Sequence, residues 1–87
     1  MPKVYFPPQM RDVTGGSAET TVEGATLRQV IAALDARYPG IAARLTAEDR
    51  IVSGLAVSID GVVTSRGLLA RVEPTSEIHF LPAIGGG

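Results

Sequence analysis

The sequence contains no cysteine and no tryptophan, and histidine and lysine each occur once, as His79 and Lys3. Without cysteine the chain has no disulfide, no thiol nucleophile and no iron–sulfur ligands. A single histidine also argues against a zinc site of the usual kind. We therefore expect no metal ion and no cofactor bound by this chain.

Long apolar runs are missing as well. No segment approaches the roughly 20 apolar residues of a membrane span. The opening residues, MPKVYFPP, lack the apolar centre of a signal peptide and resemble a strand instead. We expect a cytoplasmic protein that does not associate with membranes.

The charge balance excludes another class of function. The formal net charge is −1, and the eight cationic residues are scattered along the chain. A nucleic-acid-binding protein usually carries a basic stripe, so no nucleic-acid partner is expected. With 87 residues, of which 45% are hydrophobic, the chain is long enough for one small domain.

Catalytic groups are dispersed. The one adjacent pair of acids, Glu48 and Asp49, lies in a polar segment that is typical of a solvated loop. Gly15-Gly16-Ser17 matches turn chemistry, and neither glycine-rich phosphate-binding motif is present. His79 alternates with apolar neighbours, which directs it away from the core, and no acid accompanies it at strand spacing. We expect no catalysis by this chain itself.

The strand signals occur at both ends of the sequence and in its second half. Lys3–Phe6 alternates and is followed by two prolines, and SAETTVE follows the turn residues TGG. LAVSI alternates, and Asp60-Gly61 is a strong signal for a two-residue hairpin loop. Val62-Val63 begins the returning strand, and IHFLP forms the last one.

One helix is predicted between these groups. Thr26 is a good N-cap, and Gln29 three residues later completes a capping box. Helical spacing then places five apolar residues on one face: Leu27, Val30, Ile31, Leu34 and Tyr38. The residues YPG end the helix, and IAARL adds a short turn that carries Ile41 and Leu45 to the same core.

This order of elements favours an α+β fold of two layers, because one main helix covers one face of a sheet. The first and last strands become central neighbours, and the helix crosses behind them. That arrangement is the β-grasp, or ubiquitin-like, fold, with a mixed sheet of four to five strands packed on one main helix. We expect a β-grasp domain over residues 1–84 and a flexible glycine tail over residues 85–87.

The chain ends in HFLPAIGGG, so a stiff apolar strand leads directly into Gly85, Gly86 and Gly87. Glycine has no Cβ, so such a tail fits a narrow channel and presents its carboxylate to a partner's active site. A carboxylate needs a leaving group before it reacts, and attack on the α-phosphate of ATP is the ordinary activation. Because the sequence has no nucleotide-binding motif, a second protein must supply ATP and magnesium.

Several motifs together resemble the MoaD/ThiS-like sulfur carrier proteins, which have the ubiquitin-like β-grasp fold. They are LPAIGGG at the end, ATLRQVIAALDARYPGIAARL in the helical region, TGG before the second strand and VSIDG in the third. The combination of TGG, YPGIAARL and HFLPAIGGG is most similar to the CysO-like branch, whose members donate sulfur for cysteine synthesis.

The resemblance implies a function for the tail. An E1-like enzyme of the MoeB/ThiF type would adenylate the Gly87 carboxylate, which would then become a thiocarboxylate. The thiocarboxylate would pass its sulfur to a biosynthetic enzyme that makes cysteine, thiamine, molybdopterin or a related metabolite. Gly86 and Gly87 match the family's diglycine, whereas Gly85 stands where the family often has alanine, serine or threonine.

A partner-binding surface is predicted near the tail from strand alternation. If the residues flanking Leu81 in alternation face the helix, Leu81 points outward beside Pro82. We expect Leu81, Pro82 and Ile84 to contact the partner, with Phe6 on the neighbouring strand extending the same surface.

Three other functions remain open from the residues. A ubiquitin-like modifier would use the same adenylate but finish as an amide between Gly87 and a target lysine. The small subunit of a molybdopterin-synthase-like complex would keep its tail inside a large subunit. A plain β-grasp binding module would have an idle tail.

Overall fold

The computed structural model describes residues 1–82, and they form a five-stranded mixed sheet covered on one face by a helix. The sheet strands are β1 (Lys3–Tyr5), β2 (Glu19–Thr21), β5 (Leu55–Ile59), β6 (Val62–Val63) and β7 (Glu77–Pro82). Their spatial order is β2-β1-β7-β5-β6. The predicted α+β class, with five strands and one main helix, is confirmed.

The first and last strands are parallel neighbours at the centre of the sheet, as predicted. β1 aligns Val4 with Ile78 of β7, and β5 runs antiparallel along the other side of β7. Alternation along the strands directs Val4, Ile78 and Phe80 into the core, where each is almost completely buried. β7 is therefore held by hydrogen-bonded ladders on both sides and by the core beneath it.

The helix that covers this core is α1 (Leu27–Arg37). The Thr26 hydroxyl accepts a hydrogen bond from the Gln29 amide at 3.3 Å, and the Gln29 side chain accepts one from the Ala25 amide at 2.7 Å. In the usual capping box the glutamine side chain accepts from the amide of the N-cap residue, whereas here it accepts from the amide of the residue before the N-cap. The predicted apolar face is confirmed, with four of its members buried and Tyr38 half-buried at the C-cap: Leu27, Val30, Ile31 and Leu34.

A second, short helix, α2 (Ile41–Leu45), follows directly. Gly40 makes the change of direction with a φ of 99°, and the Asp35 carboxylate accepts from the amides of Gly40 and Ala42. Ile41 and Leu45 are buried, as the sequence predicts.

A small hairpin after α2 was not predicted. Its strands are β3 (Thr46–Ala47) and β4 (Arg50–Ile51), which pair only with each other. Glu48 and Asp49 form the turn, and both have positive φ values, 53° and 62°. The pair therefore belongs to a turn on the surface.

The Asp60-Gly61 hairpin between β5 and β6 is confirmed, and it is tied to the start of β7. The Asp60 carboxylate accepts hydrogen bonds from the Ser76 hydroxyl and the Glu77 amide, each at 2.9 Å. Ser76 is itself buried and accepts from the Glu73 amide. This network fixes where β7 begins relative to β5.

Candidate functional site

The chain leaves the sheet at the end of a central strand. The last residue of β7, Pro82, pairs with Leu55 at the beginning of β5, and both Leu81 and Pro82 are exposed. Ile84, Gly85, Gly86 and Gly87 lie outside the described residues. Their assignments to the partner contact and the reactive tail stay predictions.

The helix-free face of the sheet next to this point carries small and apolar side chains. Leu81 is 38% exposed and has Ala56 beside it on β5. One pleat further back on the same face, His79 lies between Tyr5 of β1 and Ser58 of β5. We call Leu81, Ala56, His79 and Tyr5 the exit patch. Leu81 faces outward as alternation predicts, while its contact with a partner stays a prediction.

An aromatic pair at the centre of the exit patch was not anticipated. The rings of Tyr5 and His79 stack with centroids 4.3 Å apart and an interplanar angle of 6°. Such pairs contribute about 0.5–1.5 kcal/mol beyond their buried area. Both residues alternate with core residues in the sequence, but only the register between β1 and β7 places them opposite each other.

Charges border the exit patch on one side. The Lys3 ammonium lies 5.8 Å from the centroid of the Tyr5 ring and 3.9 Å from a Glu19 carboxylate oxygen. Lys3 lies away from Leu81, since it pairs with Glu77 at the beginning of β7, and Glu19 lies beyond Tyr5 on the outer strand β2. The part of the patch nearest the end of β7 is thus apolar.

The assignment of Phe6 to the partner surface is wrong. Phe6 is only 5% exposed, and its ring packs edge-on against Tyr38 with centroids 5.7 Å apart. The physical reason is the two-residue period of a strand, which places Phe6 on the same side as Val4, toward the helix. The outward residues of this strand are Lys3 and Tyr5.

The resolved pKa shifts come from surface ion pairs remote from the patch. Hydrogen bonding to Arg28, with an oxygen–nitrogen distance of 3.0 Å in one of its two contacts, lowers the pKa of Asp49 below its usual 3.8. A hydrogen bond from Arg44 likewise lowers the pKa of Asp12. These pairs join α1 to the β3–β4 turn and α2 to the loop after β1.

Residues 1–82 contain no group of three or more histidine or acidic side chains arranged to hold a metal ion. Within the same residues, no helix has the length and apolar character needed to cross a membrane.

Comparison with known proteins assigns the family. A family model described as the ThiS family matches residues 4–87. This chain belongs to the ThiS family. The resemblance to MoaD/ThiS-like proteins is thereby confirmed, and the match extends across β7 and through the terminal glycines.

Relatives of this ThiS-family protein include the sulfur carrier protein CysO of Mycobacterium tuberculosis. The two are 33% identical over 90 residues, which cover 97% of this chain and 96% of the relative. The CysO protein of Mycobacterium bovis gives the same values. These relatives support the assignment of this chain to the CysO-like branch of the family.

Solved structures confirm the β-grasp fold. A chain in the crystal structure of the Amycolatopsis orientalis BexX/CysO complex matches with a TM-score of 0.92 and 31% identity over the full length of both chains. Mycobacterium tuberculosis CysO matches with a TM-score of 0.89 and 27% identity, covering 97% of this chain and 100% of that one. Small archaeal modifier protein 1 of Methanosarcina acetivorans shares the fold, with a TM-score of 0.80 at 21% identity and coverage of 99% and 95%.

Proposed function

We propose that this protein is a sulfur carrier whose Gly87 carboxylate is adenylated and then converted to a thiocarboxylate. The observation that carries the proposal is the match to the ThiS family, which runs through Gly87. The relatives named sulfur carrier protein CysO, aligned over nearly their whole length, support the same role.

The chemistry requires two displacements. The Gly87 carboxylate attacks the α-phosphorus of ATP, and pyrophosphate leaves. A sulfide sulfur then attacks the acyl carbon, and AMP leaves to give the thiocarboxylate. If the donor is a persulfide, its attack gives an acyl disulfide, and a thiol then cleaves the S–S bond, which releases the thiocarboxylate and forms a disulfide with the donor's thiol. The activating partner, an E1-like enzyme, binds ATP and magnesium, so the carrier takes part as a protein co-substrate and needs no cofactor of its own.

The position of β7 suits this role. β1 holds β7 in register up to His79, and β5 holds it up to Leu81 and Pro82, so the end of β7 is fixed relative to the sheet. An enzyme that docks on the exit patch therefore has the following residues within reach of its active site. We expect Leu81 and Pro82 to contact that enzyme, and Ile84 to contact it further along the tail.

The sulfur acceptor is proposed from the branch of the family. The CysO-like relatives favour an enzyme of cysteine biosynthesis as the acceptor. The terminal carbonyl carbon carries the sulfur, which suits a chain that contains no cysteine.

The intact mass of the protein from its native cells, measured before and after treatment with an alkylating reagent, tests the proposal. We expect a fraction heavier by the difference between one sulfur and one oxygen atom, which the reagent alkylates although the chain has no cysteine. A matched chain without Gly87 controls for adventitious sulfur and should show neither change. Unmodified carboxylate together with Gly87–lysine conjugates would replace this proposal with the modifier function.

A further inference from the structure

A second exposed surface lies at the outer edge of β6, across the sheet from β1 and β2. Among residues 1–82, five large hydrophobic side chains are exposed, and three of them are concentrated here. Val62 is 69%, Val63 61% and Leu69 71% exposed. Two grooves that share Arg66 hold these side chains: Val62, Val63 and Arg71 line the first, and Leu69 and Arg50 line the second. We call the whole set the β6 edge surface: Val62, Val63, Leu69, Arg50, Arg66 and Arg71.

The arginines of this surface have no acidic partner within the described part of the chain. The ion pairs there join Lys3 to Glu19, Arg28 to Asp49 and Arg44 to Asp12. Arg50, Arg66 and Arg71 are exposed and take part in none of them. Two acids on the adjoining turns are already engaged, since Asp49 binds Arg28 and Asp60 accepts from Ser76 and Glu77. Glu23 and Glu73 line a different groove, which Arg71 also borders, and within residues 1–82 they form no ion pair with Arg71. The surface is therefore cationic in a chain whose net charge is −1.

The backbone of β6 also offers hydrogen-bonding groups to a partner. The Thr64 amide donates to the Val57 carbonyl at 2.9 Å, which makes Val57 and Thr64 a hydrogen-bonded pair of the antiparallel ladder. Because the two kinds of pair alternate along an antiparallel ladder, the adjacent pair, Ser58 and Val63, is a non-hydrogen-bonded pair. The N–H and C=O of Val63 consequently point away from β5, toward the open side of the sheet.

The opposite edge of the sheet is protected differently. On β2, the Arg37 guanidinium donates to the Thr21 carbonyl at 3.1 Å and to the Thr20 hydroxyl at 2.8 Å. A side chain of α1 thus occupies one backbone carbonyl of that edge. Exposed strand edges with apolar side chains tend to pair with further strands, and natural proteins usually cover or charge them. β6 combines an open edge with cations placed beside it.

We infer that the β6 edge surface binds an extended acidic segment of a partner protein, which adds to the sheet beside β6. The backbone of Val63 pairs with the segment, Val62 and Leu69 contact its apolar side chains, and Arg66 and Arg71 bind its carboxylates. A groove of about 330 Å³ beside β6, lined by Val62, Val63, Arg66 and Arg71, provides the space. The inference extends beyond sulfur transfer, and its test involves no sulfur.

The test uses the full chain, labelled with ¹⁵N, and a blocked synthetic peptide of about eight residues in which glutamate and valine alternate, a length typical of strands. We expect saturable shifts of the amide signals of residues 62–66, and weaker binding at higher salt. A peptide that alternates lysine with valine is the control and should cause none of these shifts.

Variants separate the backbone contribution from the charges. Arg66→Glu together with Arg71→Glu should weaken binding about tenfold, whereas Arg11→Glu, at another exposed arginine without an acidic partner in the described residues, should not. Val63→Pro removes the outward N–H without breaking the ladder to β5, and it should also weaken binding about tenfold while the rest of the spectrum is retained.

Several results would overturn the inference. They are equal responses to both peptides, no saturable shift at millimolar peptide, and binding that neither Val63→Pro nor the arginine reversals weaken. Tighter binding of single-stranded oligothymidylate would assign the arginines to phosphates. Dilution of the free protein that moves the same amide signals, with a matching change in sedimentation, would make a second copy of this chain the occupant.

Discussion

Leu81 is an exposed apolar residue next to Pro82, the last residue of β7. A substitution at Leu81 tests whether partners dock on the exit patch. Leu81→Asp introduces a charge into an apolar contact, so we expect the thiocarboxylate fraction in native cells to fall at least about tenfold, as for a desolvated charge at an interface. Because the side chain is exposed, the free energy of unfolding should change by no more than about 0.5 kcal/mol. Intact mass and urea denaturation measure the two effects.

Thr75→Asp provides the control for this variant, since Thr75 is exposed just before β7 begins, at the opposite end of the strand. It should leave the thiocarboxylate fraction unchanged. A normal fraction in Leu81→Asp would remove the exit patch from the docking site.

Ser76 is a buried polar residue that stabilises the fold through its hydrogen bonds. It is 2% exposed, donates to Asp60 and accepts from the Glu73 amide. Ser76→Ala removes a hydrogen bond to a carboxylate and leaves an amide without its acceptor. We expect the free energy of unfolding to fall by about 1–3 kcal/mol, measured by urea denaturation. Ser53→Ala, at an exposed serine, should have almost no effect, and equal stabilities of the two variants would contradict the role of the network.

For single residues, the two-residue period of a strand predicts which face of the sheet a side chain occupies, and nearness to the end of the strand does not. Alternation placed Leu81 and His79 outward, and the structure agrees. Phe6 was assigned to the surface because it lies near the end of β1, although its own alternation with Tyr5 points it inward. The Tyr5–His79 stack required the register between β1 and β7, which a single sequence does not specify.

Among the elements, α1 depends on its N-terminal cap. Thr26→Ala removes the acceptor for the Gln29 amide, so we expect a loss of about 0.5–2 kcal/mol in the free energy of unfolding. Thr26→Ser keeps the hydroxyl and is the matched control, which should retain most of that stability. Urea denaturation measures both variants. Equal losses in the two would show that the methyl group of Thr26, and not its hydroxyl, supports the helix.

The Arg28–Asp49 pair joins α1 to the β3–β4 turn and predicts a pH dependence. Because the folded state lowers the pKa of Asp49, the pair stabilises fully above the ordinary value of 3.8 and loses this effect as the pH falls through the lower, folded value. Arg28→Gln should therefore lower the melting temperature slightly at about pH 6, and the difference from the parent should close toward about pH 2. Arg11→Gln is the control, and a gap that widens in acid would contradict the assignment.

Elements with strong local signals are predictable from this sequence, and elements without them are not. α1 has an N-cap threonine, a helical apolar stripe and a proline after its last residues, and these agree with the structure, whereas the glutamine of the capping box binds the Ala25 amide instead of the N-cap amide. The β3–β4 hairpin has strands of two residues and a Glu48-Asp49 turn without glycine, although both residues have positive φ. Its formation depends on the packing of neighbouring segments, which no local pattern records.

For the whole molecule, the decisive feature is that the strand leading to the tail is also the central strand of the sheet. β7 supplies Ile78 and Phe80 to the core and pairs with both β1 and β5. A partner that pulls on the tail therefore acts on the strand that pairs on both sides, and the contacts that stabilise the fold also fix the end of β7. The same strand thus serves both stability and the proposed function, but the core residues Ile78 and Phe80 serve the first and the terminal glycines the second.

This separation predicts opposite outcomes for two truncations. A chain that ends at Ile84 keeps all of β7, so we expect its melting temperature to stay within about 2 °C of the parent while thiocarboxylate formation is lost. A chain that ends at Glu77 loses Ile78 and Phe80 together with both central ladders, and we expect no cooperative unfolding transition. Calorimetry and intact mass measure the two properties on the same samples. If the chain ending at Ile84 also melted many degrees lower, the terminal glycines would be part of the fold, and the proposed boundary between the domain at residues 1–84 and the tail would have to move.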